Sequence, residues 1–200
     1  MLKILKGQED AIKGLIVCEE TGNASSLPLV LHFLSAASTS NQKVAIVTSK
    51  FTETNYKLIC SKAGIRWNST QINFIECLPP FGSFDISGRQ LMENVYEKIS
   101  GSDPSVVLFD DVSIFESFGA NSVEIAVFVH RIYTLLMKSS PDSVLLAPFS
   151  IPSTATSLLS SRCRVFAQMT PVGHGFGKDA SSKITLAIKS PASPTTKKEY

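Results

Sequence analysis

Two adjacent carboxylates, Asp110 and Asp111, directly follow the apolar run Val106–Phe109. A strand that is buried on both faces of a parallel sheet is continuously apolar, and such sheets bind their ligands beside the carboxyl ends of the strands. Carboxylates in that position hold Mg²⁺ in nucleotide-binding proteins, where the arrangement is called the Walker-B pattern. The pair therefore predicts a magnesium–nucleotide site or an element inherited from one.

The chain lacks the phosphate-binding sequence G-x-x-x-x-G-K-[ST] that normally accompanies this pattern. The loop in the expected place, Glu19–Ser26, has one glycine, two carboxylates and no lysine or arginine. Those carboxylates would repel a triphosphate by more than one helix N-terminus offsets. The glycine-rich stretch Gly173–Asp179 also departs from the pattern, because Val172 stands in place of its first glycine and an aspartate follows its lysine. We expect no ATP binding of the P-loop kind.

Two interpretations of Asp110 and Asp111 stay open. In the structural interpretation, which we favour, Asp110 accepts backbone or hydroxyl hydrogen bonds at the rim of the sheet, and Asp111 caps the following turn. In the alternative, the chain is a divergent ATPase that retains Mg-ATP at the two carboxylates.

The other residues that could carry chemistry form no recognisable set. The three histidines, His32, His130 and His174, are scattered, and two of them lie within helical patterns. The four cysteines form no C-x-x-C pair and have no histidine at ligand spacing, so we expect reduced, mostly buried thiols. We therefore predict no catalytic residues, no metal and no cofactor, and a protein that is not an enzyme.

Apolar patterns predict seven strands and five helical segments. The strands are expected over Gly14–Cys18, Lys43–Thr48, Ile72–Leu78, Ser105–Asp110, Ser143–Ala147, Arg164–Met169 and Lys183–Lys189. The helices are expected over Leu27–Ser38 (with Ser26 as N-cap), Thr54–Ala63, Gln90–Ile99, Ser122–Met137 and Ser153–Ser161.

The alternation of strands and helices predicts an α/β fold with a mostly parallel, doubly wound sheet and helices on both faces. The last two strands have no helix between them, so we expect a C-terminal antiparallel hairpin. Residues 1–190 are expected to form one domain, and residues 191–200 a disordered tail. The N-terminus resembles no signal peptide and no apolar run approaches 18 residues, so we expect no membrane association.

Three segments, in this order, resemble those of a known family: Leu29–Leu34 (LVLHFL), Val107–Ser113 (VLFDDVS) and Gly175–Asp179 (GFGKD). They combine with a strand ending in two aspartates, a RecA-like order of elements and a first loop without lysine. On these grounds the chain is similar to the Elongator complex protein 6 family over about residues 10–190. The resemblance implies a RecA-like fold that has lost its P-loop, and a non-catalytic role.

The resemblance also implies partners. Members of that family assemble with Elongator proteins 4 and 5 into a heterohexameric ring with two copies of each. The ring is an accessory module of the catalytic Elongator core, which modifies the wobble uridine of certain tRNAs, and it has been associated with tRNA binding. By this resemblance we expect a protein of the cytoplasm, with the nucleus as an additional compartment.

The same resemblance points to candidate RNA-binding residues. If the ring places its central loops as RecA-like rings do, the segments Ser113–Asn121 and Phe149–Cys163 face the pore. Arg162 and Arg164 are then the best candidates for phosphate contact, within a stretch from residue 161 onward that has seven basic and two acidic side chains. They are otherwise surface or interface arginines. A stand-alone RecA-like binding protein is a further alternative.

Overall fold

A computed structural model describes residues 12–79, 85–172, 182–190 and 193–199, and these residues form one eight-stranded sheet. The strands are β1 (Gly14–Glu20), β2 (Val44–Thr48), β3 (Ile72–Glu76), β4 (Val106–Phe109), β5 (Val144–Phe149), β6 (Val165–Pro171), β7 (Ser182–Ser190) and β8 (Ser193–Glu199). Their order across the sheet is β3-β2-β4-β5-β1-β6-β7-β8. The pairs from β3 to β6 are parallel, and β7 and β8 add on antiparallel.

Helices cover both faces of the sheet. They are α1 (Leu27–Thr39), α2 (Glu53–Lys62), α3 (Gly88–Ser102), α4 (Ile114–Ser117), α5 (Ser122–Ser139) and α6 (Thr154–Ser160). One apolar cluster joins α1 and α2 to the sheet, and a second joins α3, α4, α5 and α6 to the opposite face. This confirms the predicted α/β architecture, with a mostly parallel doubly wound sheet and antiparallel strands at its C-terminal end.

The alternation of side chains along each strand divides the core between the two faces. In β1, Leu15 and Val17 belong to the α3–α6 face, whereas Ile16 and Cys18 belong to the α1–α2 face. All four side chains are at most 1% exposed. A strand buried on both sides must be continuously apolar, which explains why the central strands were recognisable in the sequence.

Two helices begin with capping boxes that fix the path of the chain around the sheet. The Ser87 hydroxyl accepts the backbone N–H of Gln90, and the Gln90 side chain accepts the N–H of Ser87. Asn121 and Glu124 form the same reciprocal pair at the start of α5. Each pair satisfies backbone donors that a helix leaves unbonded in its first turn.

Two local predictions differ from the structure, and one short helix was not predicted. Glu19 and Glu20 were expected in a loop, but they end β1 because they pair with Gln168 and Met169 of β6. The short helix α4 was not predicted, because its four residues are too few to show a helical pattern of apolar side chains. The tail was expected to be disordered, yet Ser193–Glu199 pairs with β7 as β8.

Some segments singled out in the sequence lie outside the described residues. These are the glycine-rich stretch Gly173–Asp179 and, within it, His174. Within the described ranges, no helix combines the length and apolarity that crossing a bilayer requires.

We predict that Gly88→Ala destabilises the protein by about 1–3 kcal/mol, as overpacking does. A Cβ at Gly88 would lie 2.6 Å from the Phe115 carbonyl oxygen and 2.8 Å from the Ala120 Cβ, because the start of α3 packs against α4. Urea unfolding measures the change. The control is Gly101→Ala on the same helix, where nothing lies within 4 Å of the added Cβ. That exchange should be neutral or stabilising, and an equal loss at both positions would contradict the packing argument.

Candidate functional site

Four strand ends bring polar side chains together at the carboxyl edge of the sheet. Glu20 ends β1, Lys50 follows β2, Asp110 and Asp111 follow β4, and Ser150 follows β5. Strand β5 lies between β1 and β4, so the ends of those two strands are separated by about 10 Å. In open α/β sheets this edge is the ligand-binding edge.

Asp110 is bound to the turn that follows β2. Its carboxylate accepts the Thr48 hydroxyl at 2.5 Å and the backbone N–H groups of Ser49 and Lys50 at 2.9 and 3.0 Å. The Ser49 hydroxyl donates a fourth hydrogen bond at 3.2 Å. Such contacts are what the structural interpretation of Asp110 predicts.

Burial raises the pKa of Asp110 above its usual range, since the side chain is withdrawn from water. The hydrogen bonds from Thr48, Ser49 and Lys50 oppose that rise without cancelling it. The carboxylate thus accepts its hydrogen bonds from the chain's own hydroxyls and backbone N–H groups.

Asp111 organises the two chain segments that follow β4 and β5. Its Oδ1 accepts the backbone N–H of Ser113 at 2.9 Å and that of Ser150 at 3.3 Å, and its Oδ2 accepts the Ser150 hydroxyl. The Ser113 hydroxyl in turn accepts the N–H of Ile151 at 3.2 Å. Asp111 thus caps the turn after β4, as the structural interpretation expects, and also ties it to the turn after β5.

Lys50 connects the two remaining carboxylates. Its Nζ lies 3.2 Å from Glu20 Oε2 and 3.4 Å from Asp111 Oδ2. We call these three residues the charge cluster. Burial alone would lower the pKa of Lys50, but the charges and hydrogen bonds of Asp111 and Glu20 outweigh it and raise the pKa. Lys50 therefore stays charged and neutralises one of the two carboxylates.

Glu20 also caps the first helix. Its Oε1 accepts the backbone N–H of Ser26 at 2.6 Å, and the side chain is 5% exposed. Ser26 was predicted to cap α1 with its own hydroxyl, but it makes no side-chain cap. The prediction was wrong because Ser26 has helical backbone angles (φ −76°, ψ −4°) instead of the extended angles of an N-cap, and its carbonyl oxygen, not its hydroxyl, accepts the Leu29 N–H.

These contacts do not fit a bound Mg-ATP. The phosphate position at the start of α1 holds the Glu20 carboxylate, and the cation position beside Asp111 holds the Lys50 amine. Within the described ranges, no three histidine, cysteine, aspartate or glutamate side chains are arranged to bind a metal ion.

The sequence did not point to Lys50. It lies two residues beyond β2 in a turn without a recognised motif. Only the strand order could have indicated it, because the carboxyl ends of parallel strands lie at the same edge of a sheet. Strand β2 pairs with β4, so a lysine that follows β2 lies beside the aspartates that follow β4. The side chain of Glu19, in contrast, has no hydrogen bond or ion pair among the described residues, although its backbone pairs within the sheet.

Arg162 and Arg164 lie at the opposite edge of the sheet. Both are exposed, and the backbone N–H of Arg164 bonds to the Leu15 carbonyl oxygen at the start of β1. They are therefore not brought together with Asp110 and Asp111. Their assignment to RNA contact stays a prediction.

The remaining candidates take no part in the charge cluster. All four cysteines are free and buried, as expected, and burial raises the pKa of Cys60 to about 11 and that of Cys77 to about 12. A cavity of about 380 Å³ lies at the amino edge of the sheet, lined in part by His32, Phe33 and Val106. It is remote from Asp110 and Asp111.

Comparison with known proteins identifies the fold. No family model and no curated protein sequence matches this chain. Among solved structures it is similar to the flagellar accessory protein FlaH from Methanocaldococcus jannaschii, with a TM-score of 0.68 and 15% identity, covering 88% of this chain and 79% of that chain. The chain therefore has a RecA-like fold. The resemblance to the Elongator complex protein 6 family stays a prediction.

We predict that Lys50→Met lowers the free energy of unfolding by about 1–3 kcal/mol at pH 7, because Glu20 and Asp111 lose their shared cation. The value is below that of a fully buried pair, since Lys50 is 33% exposed. The pKa of Lys50 is raised, so its contribution is complete below about pH 10.4 and is lost as the pH rises through the folded-state pKa. On the alkaline side, the difference between wild type and variant should therefore shrink only above that pH.

Urea unfolding at several pH values measures this difference. The matched control is Lys57→Met, which removes a lysine paired with Glu53 on an exposed helix face. That pair contributes at most about 0.5 kcal/mol. Equal effects of the two substitutions would show that the charge cluster has no special role in stability.

Proposed function

We propose that this chain is a non-catalytic, RecA-like subunit of the Elongator accessory ring. In this proposal it assembles with Elongator proteins 4 and 5 into a heterohexamer. The ring binds tRNA and supports wobble-uridine modification by the catalytic Elongator core. The chain itself needs no cofactor and works in the cytoplasm, with the nucleus as an additional compartment.

One observation carries the non-catalytic part of the proposal. The acidic groups that would hold Mg²⁺ are bonded to the chain's own donors: Asp110 to Ser49 and Lys50, and Asp111 to Ser113 and Ser150. A metal ion or nucleotide would have to displace these contacts before binding. This favours a scaffold subunit over the divergent ATPase of the alternative interpretation.

The surface at the carboxyl edge supports a protein partner. We call the segments Ser113–Asn121 and Ser150–Ser153 the edge connectors; Glu116 is their only charged residue. The Ser153 hydroxyl donates to Glu116, so the two connectors are joined. Ile151 is 51% exposed on this surface, and Val123, just beyond the first connector, is 61% exposed. A surface with one carboxylate, no cation and exposed aliphatic side chains suits contact with protein better than contact with RNA phosphates.

Assembly is tested first by molecular mass. The chain alone, and the chain co-expressed with Elongator proteins 4 and 5, are analysed by size-exclusion chromatography with light scattering. A stable complex with two copies of each subunit is the expected result. A monomer that binds neither partner would favour the alternative that the chain is a stand-alone RecA-like binding protein. Calorimetric titration of the isolated chain with Mg-ATP tests the ATPase alternative, and we expect no binding.

We predict that Ile151→Asp weakens ring assembly by about fivefold or more, because an interface anchor replaced by a charge costs about 1–4 kcal/mol of binding free energy. The control is Leu58→Asp on α2, where the wild-type leucine is 57% exposed on the opposite face of the sheet. Dissociation is measured by dilution in mass photometry. Equal losses for the two variants would reject the edge connectors as the contact surface.

We predict that the double substitution Arg162→Glu and Arg164→Glu weakens tRNA binding by the assembled ring. If each arginine contacts one phosphate, the slope of log affinity against log salt should fall by about 1.5. The control is Lys62→Glu with Arg66→Glu, an equal charge change at exposed positions near the β3 side of the sheet. Fluorescence anisotropy over a salt series measures both. An unchanged slope with an intact ring would reject the two arginines as RNA contacts.

A further inference from the structure

We propose that Glu20 is a tethered anion, which occupies a phosphate-binding position at the start of α1 and keeps soluble phosphates out. The proposal concerns the chain alone and holds whichever partners it has. It is based on the hydrogen bonds of Glu20, whose two carboxylate oxygens accept from a backbone N–H and from a lysine amine.

The donors around Glu20 are those that phosphate sites of this architecture use. One oxygen accepts the Ser26 N–H at the N-terminus of α1 at 2.6 Å, and the other faces the Lys50 amine at 3.2 Å. A backbone N–H at a helix start together with a lysine amine is the usual combination for binding a phosphate group. Here the lysine comes from the turn after β2 and not from the loop before α1.

Tethering gives the carboxylate an advantage over any soluble anion. Glu20 is the last residue of β1, and its backbone is held by pairing with Met169 of β6. The effective concentration of its carboxylate at the donors is therefore far above that of a free phosphate. Its negative charge would also repel an approaching anion at a distance of about 4 Å by about 1–4 kcal/mol, depending on the local dielectric. Both effects keep the position closed in the wild-type protein.

The position would be reachable if Glu20 were absent. Lys50 is 33% exposed, and Gly22, Asn23 and Ser25 in the adjacent loop are exposed. The loop is anchored independently of Glu20, because Thr21 donates through its N–H and its hydroxyl to the Met169 carbonyl oxygen. Removal of the carboxylate therefore leaves the Ser26 N–H and the Lys50 amine in place, with Lys50 still 3.4 Å from Asp111 Oδ2 and open to solvent on its exposed side.

The test is calorimetric titration of the folded chain with sodium tripolyphosphate, in the absence of divalent cations. Glu20→Ala should bind at least about tenfold more tightly than wild type, a difference of about 1.4 kcal/mol. The matched control is Glu19→Ala, which removes an equal charge one residue away from a side chain without a hydrogen bond or ion pair among the described residues. That variant should bind no better than wild type.

Further variants keep the outcome decisive. Glu20→Ser removes the charge and is too short to reach the Ser26 N–H, but it keeps a polar group at this position, so it tests the proposal if Glu20→Ala does not fold, and it should also gain affinity. The double variant Glu20→Ala with Lys50→Met should lose the gain. The proposal is overturned if no folded Glu20 variant binds better than wild type, if Glu19→Ala gains as much, or if the double variant retains the full gain.

Discussion

Three buried carboxylates at one edge of the sheet impose the constraint on which the local structure depends. Glu20, Asp110 and Asp111 are 5%, 4% and 9% exposed. A buried charge without partners costs several kcal/mol, so each carboxylate must be bonded by groups that the fold can bring to it. Among the described residues, Lys50 is the cation that pairs with them, and backbone N–H groups and hydroxyls supply the remaining donors. The turns after β1, β2, β4 and β5 take conformations that deliver these donors.

This constraint explains how the edge is ordered without a ligand. In a nucleotide-binding protein, phosphates and Mg²⁺ bring together the loop before the first helix and the acidic end of the fourth strand. Here Lys50 makes the same connection between Glu20 and Asp111, and Asp111 extends it to Ser150 after β5. These contacts connect the loops through the chain's own side chains, which agrees with the non-catalytic role proposed above.

The fold was predictable from the sequence because its signals are local. Continuous apolar runs such as Val106–Phe109 identify central strands, and the absence of a helix between the last strands predicts the antiparallel end. The site was only half predictable. The bonding of Asp110 and Asp111 to the chain followed from the missing phosphate loop, but Lys50 and the capping role of Glu20 depend on strand order and register. The pairing of Glu20 with Met169 and the distance from Lys50 to Asp111 are set by contacts remote in sequence.

The two expected RNA-facing features cannot form a single contact patch. The edge connectors start from the carboxyl ends of β4 and β5, whereas Arg164 lies beside the first residues of β1. Strand β1 has seven residues, so the two edges are about 20 Å apart. If the connectors face the pore of a ring, the arginines lie near its outer or opposite surface. If the arginines contact tRNA, the RNA approaches the amino edge, and the edge connectors are left for protein neighbours. The low charge of the connectors favours the second arrangement, because phosphate contact needs cations and aliphatic side chains such as Ile151 gain most from burial against protein.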